Sequence, residues 1–178
     1  MRVNNWKQTI LPFFLMLLAV LTDGFLSSYF SAVLNTSFGL MIPRTIILVI
    51  IILAFHYKPN VMYINISIIG FIMDAYYLGF LGVYMATFFF LVAIVNGLKR
   101  FLNANVLSYT LVSIIGLAAS EVFIYGIMRI LGITTISFQI FLVSRLGATL
   151  LFNAVIMLVF SFFIHRLVVN TLDESETR

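Results

Sequence analysis

The chain has 178 residues, 63% of them apolar and only 9% charged, with a mean hydropathy of +1.17. A water-soluble domain carries roughly a quarter charged residues, so this composition excludes a soluble globular protein and defines an all-α, polytopic membrane protein. The net charge of +4 is spread over single basic residues, which excludes a nucleic-acid-binding patch, and the absence of cysteine excludes disulfides, thiolate metal sites and a cysteine nucleophile.

At about 20 residues per span, the apolar length fits six transmembrane helices in one membrane domain, residues 1–172, followed by an acidic tail, 173–178, expected to be disordered. The first predicted span covers about 9–34; it is too long for a signal-peptide core and no small-x-small cleavage site follows, so it is read as an uncleaved helix. Asp23-Gly24 interrupts its second half. The second, about 38–57, carries Pro43-Arg44 in its first turns and closes on His56, Lys58 and Pro59. His56 reads as an interfacial residue, because no second ligand stands at metal spacing. The third and fourth spans, about 61–78 and 83–98, are joined by a short turn with Gly79 and Gly82 and no Lys or Arg. A basic loop with Lys99 and Arg100 leads to the fifth, about 106–131, which contains Glu121 and Arg129. The sixth, about 138–169, has Arg145 near its start and exceeds what a perpendicular crossing needs.

Arg2, Lys7, Lys58, Lys99, Arg100 and Arg166 fall on the amino-terminal side of this arrangement, and the turns near residues 35, 80 and 135 carry no positive charge. By the positive-inside rule, both termini are predicted to be cytoplasmic.

Besides Arg166, which marks the exit of the last span, six charges lie within the spans: Asp23, Arg44, Asp74, Glu121, Arg129 and Arg145. Each ionisable group in a spanning helix costs about 2.5–3.5 kcal/mol on insertion scales, on the order of 15 kcal/mol for six left unpaired. Three acids balance three arginines, which predicts a buried ionic network between helices, with Arg44 or Arg145 as the partner of Asp74. Helical phase places Asp74 with Tyr63, Ser67, Gly70 and Tyr77, Arg145 with Thr149 and Asn153, and Glu121 with Ala118 and Tyr125, faces that are small or polar. Such a network either holds the bundle in register or borders an outward cavity for a solute or a groove for a partner helix; its neutrality favours the architectural reading. No nucleophile–base set, phosphate loop or metal spacing is present, so neither enzyme activity nor a cofactor is expected.

The stretch Gly70 to Tyr84, GFIMDAYYLGFLGVY, with Gly70, Asp74 and Gly82 and a helix following directly, resembles the MreD family of rod shape-determining membrane proteins. The form Asp-x-Tyr-Tyr-x-Gly-x-Leu-Gly-x-Tyr looks like Gram-positive members, and Leu11-Pro12, Leu21 to Gly24, the length and the six predicted spans are also similar. Many members carry glycine four residues after the aspartate; here that position is Leu78 and the glycine is Gly79, which implies a tighter or bulged turn. The resemblance implies a non-catalytic subunit of the cell-elongation machinery in the bacterial cell membrane. Its implied partners are the bitopic MreC, the actin-like MreB, and the elongation transpeptidase and glycosyltransferase of peptidoglycan synthesis. The alternative weighed on size and span number is the substrate-binding S component of an energy-coupling-factor vitamin transporter, but the Ala-x-x-x-Ala pattern common there is missing.

Overall fold

A computed structural model describes residues 5–36, 39–79, 81–103 and 105–159. Helix α1 (Asn5–Tyr29) is followed by a single turn, α2 (Ser31–Leu34), and by a minimal antiparallel ladder of β1 (Asn35–Thr36) on β2 (Gly39–Leu40). Then come α3 (Thr45–His56), α4 (Pro59–Met73) extended by a π turn over Asp74–Leu78, α5 (Val83–Leu98) and α6 (Val106–Ile130). The last described helix, α7 (Phe138–Val159), contains a second π turn at Leu142–Leu146.

Among the described residues, four helical stretches are long and apolar enough to cross a membrane, Ile10–Tyr29, Pro59–Leu78, Val106–Ile130 and Phe138–Val159, and two apolar helices, α3 and α5, are shorter. The layout follows from hydropathy. From Ile46 to Ala54 every residue of α3 is buried, because a helix apolar on all sides must be surrounded. Helices α1, α5 and α6 enclose it. Helices α1, α4 and α6 turn Leu18, Leu21, Ile64, Leu107 and Ile115 outward, an apolar exterior suited to lipid.

The boundaries differ from the sequence expectation at two places. The first predicted span, 9–34, is broken after Tyr29, where the chain starts a separate turn. The second, 38–57, is helical only from Thr45. Its first residues cannot join the helix: Gly39 sits at φ +126° in the ladder, and Pro43 lacks an amide and holds the residue before it away from the α region. At 1.5 Å per residue, the 12 residues of α3 reach only about 18 Å, so its amino terminus lies inside the bundle. Residues 160–169 of the sixth predicted span, the tail 173–178, Arg2 and Arg166 lie outside the described residues.

Close approach of α4 and α5 depends on Gly70, where a Cβ would stand 2.7 Å from Met85 Cα. Gly70→Ala is therefore expected to lower stability by about 1–3 kcal/mol through overpacking, seen as a reduced thermal midpoint of the purified protein. Gly97→Ala, where a Cβ meets nothing within 4 Å, should leave it unchanged or slightly raised.

Candidate functional site

The charged groups are arranged around two helices that begin inside the bundle. The first amides of any helix have no partner within it, and in lipid no water is available to satisfy them. For α3 the partners come from α1 and α7. Asp23 Oδ1 accepts the Thr45 amide at 2.7 Å and the Thr45 hydroxyl at 2.6 Å, and Oδ2 accepts the Ile46 amide at 3.1 Å. Asn153 Oδ1 accepts the Arg44 amide at 2.9 Å, while its Nδ2 donates to the Ile42 carbonyl at 2.8 Å. Thr149 Oγ1 stands 3.3 Å from the Ile42 amide and 3.2 Å from the Leu40 carbonyl. Polar side chains thus satisfy the irregular backbone of residues 40–46, which is buried from Pro43 onward.

For α5 the partner is Asp74. Its Oδ2 accepts the Gly82 amide at 2.8 Å and the Met85 amide at 3.3 Å, and its Oδ1 accepts the Tyr84 amide at 2.7 Å. Gly82 occupies the capping position of α5, at φ +115°, and has no side chain to cap with. The carboxylate of the preceding helix serves instead, on the amides of the second and third helical residues that a side-chain cap normally takes. Asp74 is fully buried, and its negative charge faces the positive end of the α5 dipole. It bonds to backbone and not to Arg44 or Arg145, which corrects the expected arginine pairing: the amides of a helix start supply the compensation.

The turn that brings Asp74 over α5 is bulged. The Gly79 amide donates to the Asp74 carbonyl at 3.0 Å, a bond over five residues, and Gly79 takes the left-handed conformation at φ +71°. The additional residue of the π turn accommodates the glycine one place later than usual. Gly82→Leu meets open space, so its effect is on the backbone: at φ +115° a β-carbon costs about 1–3 kcal/mol. A lowered unfolding midpoint for Gly82→Leu, with a smaller loss for Gly79→Asn, is the expected result, since asparagine tolerates the left-handed region.

The other charges meet at Glu121, itself buried on α6. Arg44 Nε donates to Glu121 Oε1 at 2.6 Å, and Arg145 Nη2 donates to Oε2 at 3.1 Å, joining the start of α3, α6 and the π turn of α7 through one carboxylate. Arg44 Nη1 also lies 3.4 Å from the Tyr84 hydroxyl, which sequence reasoning had not singled out. Arg129 does not join this group. It is exposed and donates Nη1 to the Ile136 carbonyl at 2.8 Å, beside the Tyr125 hydroxyl on the same oxygen at 2.7 Å. The six charges therefore form separate centres and not one network: two carboxylate caps, one arginine–glutamate–arginine bridge, and one arginine at the end of α6 bound to the connection that follows.

Against the bridge lies a cavity of about 570 Å³, lined by Arg44, Glu121 and Arg145, by residues of the two connections such as Gly39 and Ile136, and by apolar side chains including Ile124 and Phe141. At the other end of the bundle, His56 Nε2 lies 2.8 Å from the Tyr109 hydroxyl, and Lys99 Nζ donates to the Ala54 carbonyl at 2.8 Å. No group of three metal-ligating side chains occurs among the described residues.

A bundle of apolar helices whose buried acids are bound to helix starts and arginines defines a polytopic integral membrane protein built around charged structural joints. The sequence pattern of the rod shape-determining protein MreD family matches residues 7–170, and the chain belongs to that family. It is similar to the rod shape-determining protein MreD of Bacillus subtilis (strain 168), with 26% identity over 158 residues, 88% of this chain and 91% of that one. No solved structure matches. The protein is thus a multi-pass protein of the bacterial cell membrane in a family that determines rod shape and is not known for enzyme activity, which displaces the vitamin-transporter alternative.

Proposed function

We propose that the chain is a non-catalytic subunit of the bacterial cell-elongation complex. In this reading it binds an MreC-like bitopic protein within the membrane and, with MreB and the elongation transpeptidase and glycosyltransferase, supports peptidoglycan synthesis and cell shape. The observation that carries the reading is the family match over residues 7–170 in a chain whose described residues are almost entirely membrane helix. A protein of this kind acts through the surfaces it offers to other membrane proteins. Its buried carboxylates are engaged by amides and guanidinium groups, which supports an architectural role for them over catalysis.

In the same reading the chain crosses the membrane six times as one domain, α3 and α5 completing their crossings with the segments before them, and both termini are cytoplasmic. Lys58, Lys99 and Arg100 share the end of the bundle where Lys99 reaches the end of α3, and the neutral connections around residues 35–40 and 131–137 gather at the other, as positive-inside topology requires. The test is purification of the intact complex from native membranes, with depletion in cells. Recovery of an MreC-like partner and rounding of cells on depletion are expected; no such partner together with unchanged shape would contradict the proposal.

A further inference from the structure

The cavity beside Glu121 carries an unbalanced charge. Two guanidinium groups, Arg44 and Arg145, line it against one carboxylate, Glu121, and both oxygens of that carboxylate are already engaged, one by each arginine. Asp23 and Asp74 do not line it; they are held on the amides of α3 and α5. The other polar side chains of the wall are neutral: Asn35, Tyr84, Tyr125, Thr134 and Ser144. Arg145 Nε is buried without a hydrogen-bond partner, although the side chain as a whole is 36% accessible. A surplus positive charge in a largely apolar wall calls for an anion, and the accessible part of the Arg145 side chain, though not its buried Nε, is open to one.

The rest of the wall narrows the class. Ile124 and Phe141, with Tyr125 stacked on Phe141 at 4.4 Å between ring centres, form an apolar lining next to the charges. The volume, about 570 Å³, is within the range that encloses a small-molecule group. Arginine forks match the oxygens of phosphate. An amphiphile with a phosphate at its polar end meets both halves of this wall, and the cavity lies in a membrane protein where such molecules are the solvent.

We propose that this cavity binds the phosphate head group of an anionic phospholipid, with Arg145 as the principal donor. The proposal does not depend on which proteins the chain assembles with. It is tested on the full-length protein purified in a phosphate-free maltoside detergent, by native mass spectrometry and thermal unfolding with added phosphatidylglycerol, phosphatidylcholine or inorganic phosphate. Retention of one phosphatidylglycerol at least about tenfold over phosphatidylcholine is expected, with a matching rise in unfolding temperature. Arg145→Gln should reduce the preference to about twofold or less. Thr134→Trp, which keeps every charge and adds bulk to the lining, should do the same and decides the matter if Arg145→Gln does not fold. Equal retention of the two lipids by the natural sequence, or a preference that survives both substitutions, would overturn the proposal. Equal stabilisation by inorganic phosphate alone would overturn the lipid assignment in favour of a soluble phosphate ion.

Discussion

Glu121→Ala is expected to be the most damaging single substitution in the chain. It leaves the guanidinium of Arg44, whose side chain is 10% exposed, without its carboxylate, and releases Arg145 at the same time. Removing one partner of a buried ion pair costs about 3–5 kcal/mol, because the remaining charge is left uncompensated. Against a total folding stability of about 5–15 kcal/mol, that is enough to deplete the folded protein from the membrane. The expected readings are a strongly lowered thermal midpoint in detergent and reduced accumulation in cells. Combining Glu121→Ala with Arg44→Met should restore much of the loss, since no unpaired charge then stays at the start of α3. A Glu121→Ala protein as stable as the natural one would show that the bridge contributes little.

Asp74→Ala is expected to follow closely, for a different physical reason. Three amides at the start of α5 lose their acceptor at once, and that of Tyr84 is buried away from any substitute. From the values for helix caps and for hydrogen bonds to charged groups, the loss is about 2–4 kcal/mol. Asp74→Asn keeps one acceptor oxygen and should fall between the two. The effect should be additive with Arg145→Met, since Asp74 bonds to backbone and Arg145 to Glu121; Glu121→Ala and Arg44→Met should couple strongly. A large coupling between Asp74 and either arginine, measured by a double-mutant cycle in the thermal midpoint, would mean that they pair directly.

The contrast between these carboxylates shows which parts of the structure were legible in the sequence. The membrane class was open to reading because hydropathy is a property of whole segments, and the α4–α5 turn because Gly79 and Gly82 mark it. The bulge was foreshadowed by one residue of offset between Asp74 and Gly79. The late start of α3 was not legible: Pro43 is equally at home in a first helical turn and just ahead of one, and Gly39 shows its left-handed conformation only once β2 lies against the backbone of Ser144 in α7. Nor were the partners of Asp23 and Asp74. Counting opposite charges favours arginine, whereas the groups in need were backbone amides, which every residue except proline carries and which leave no signature in composition. Arg129 misled for a related reason: counting it as the third positive charge does not show that its side chain reaches a nearby backbone carbonyl on the connection.

Thr149 and Asn153 were grouped by phase with Arg145, and their work lies elsewhere, in satisfying residues 40–44. The common principle is that a membrane protein with irregular backbone in its interior must supply polar side chains to it. Here α1 and α7 supply them to the late start of α3, and α4 supplies Asp74 to the start of α5.

Whether Asp74 caps α5 is decided by residue-resolved amide hydrogen exchange on the natural protein and on Asp74→Asn. Faster exchange confined to Gly82, Tyr84 and Met85 is expected, with Thr45 and Ile46 protected as before by Asp23. Unchanged protection at those three amides, or a loss centred instead on the segments that hold Arg44 and Arg145, would contradict it.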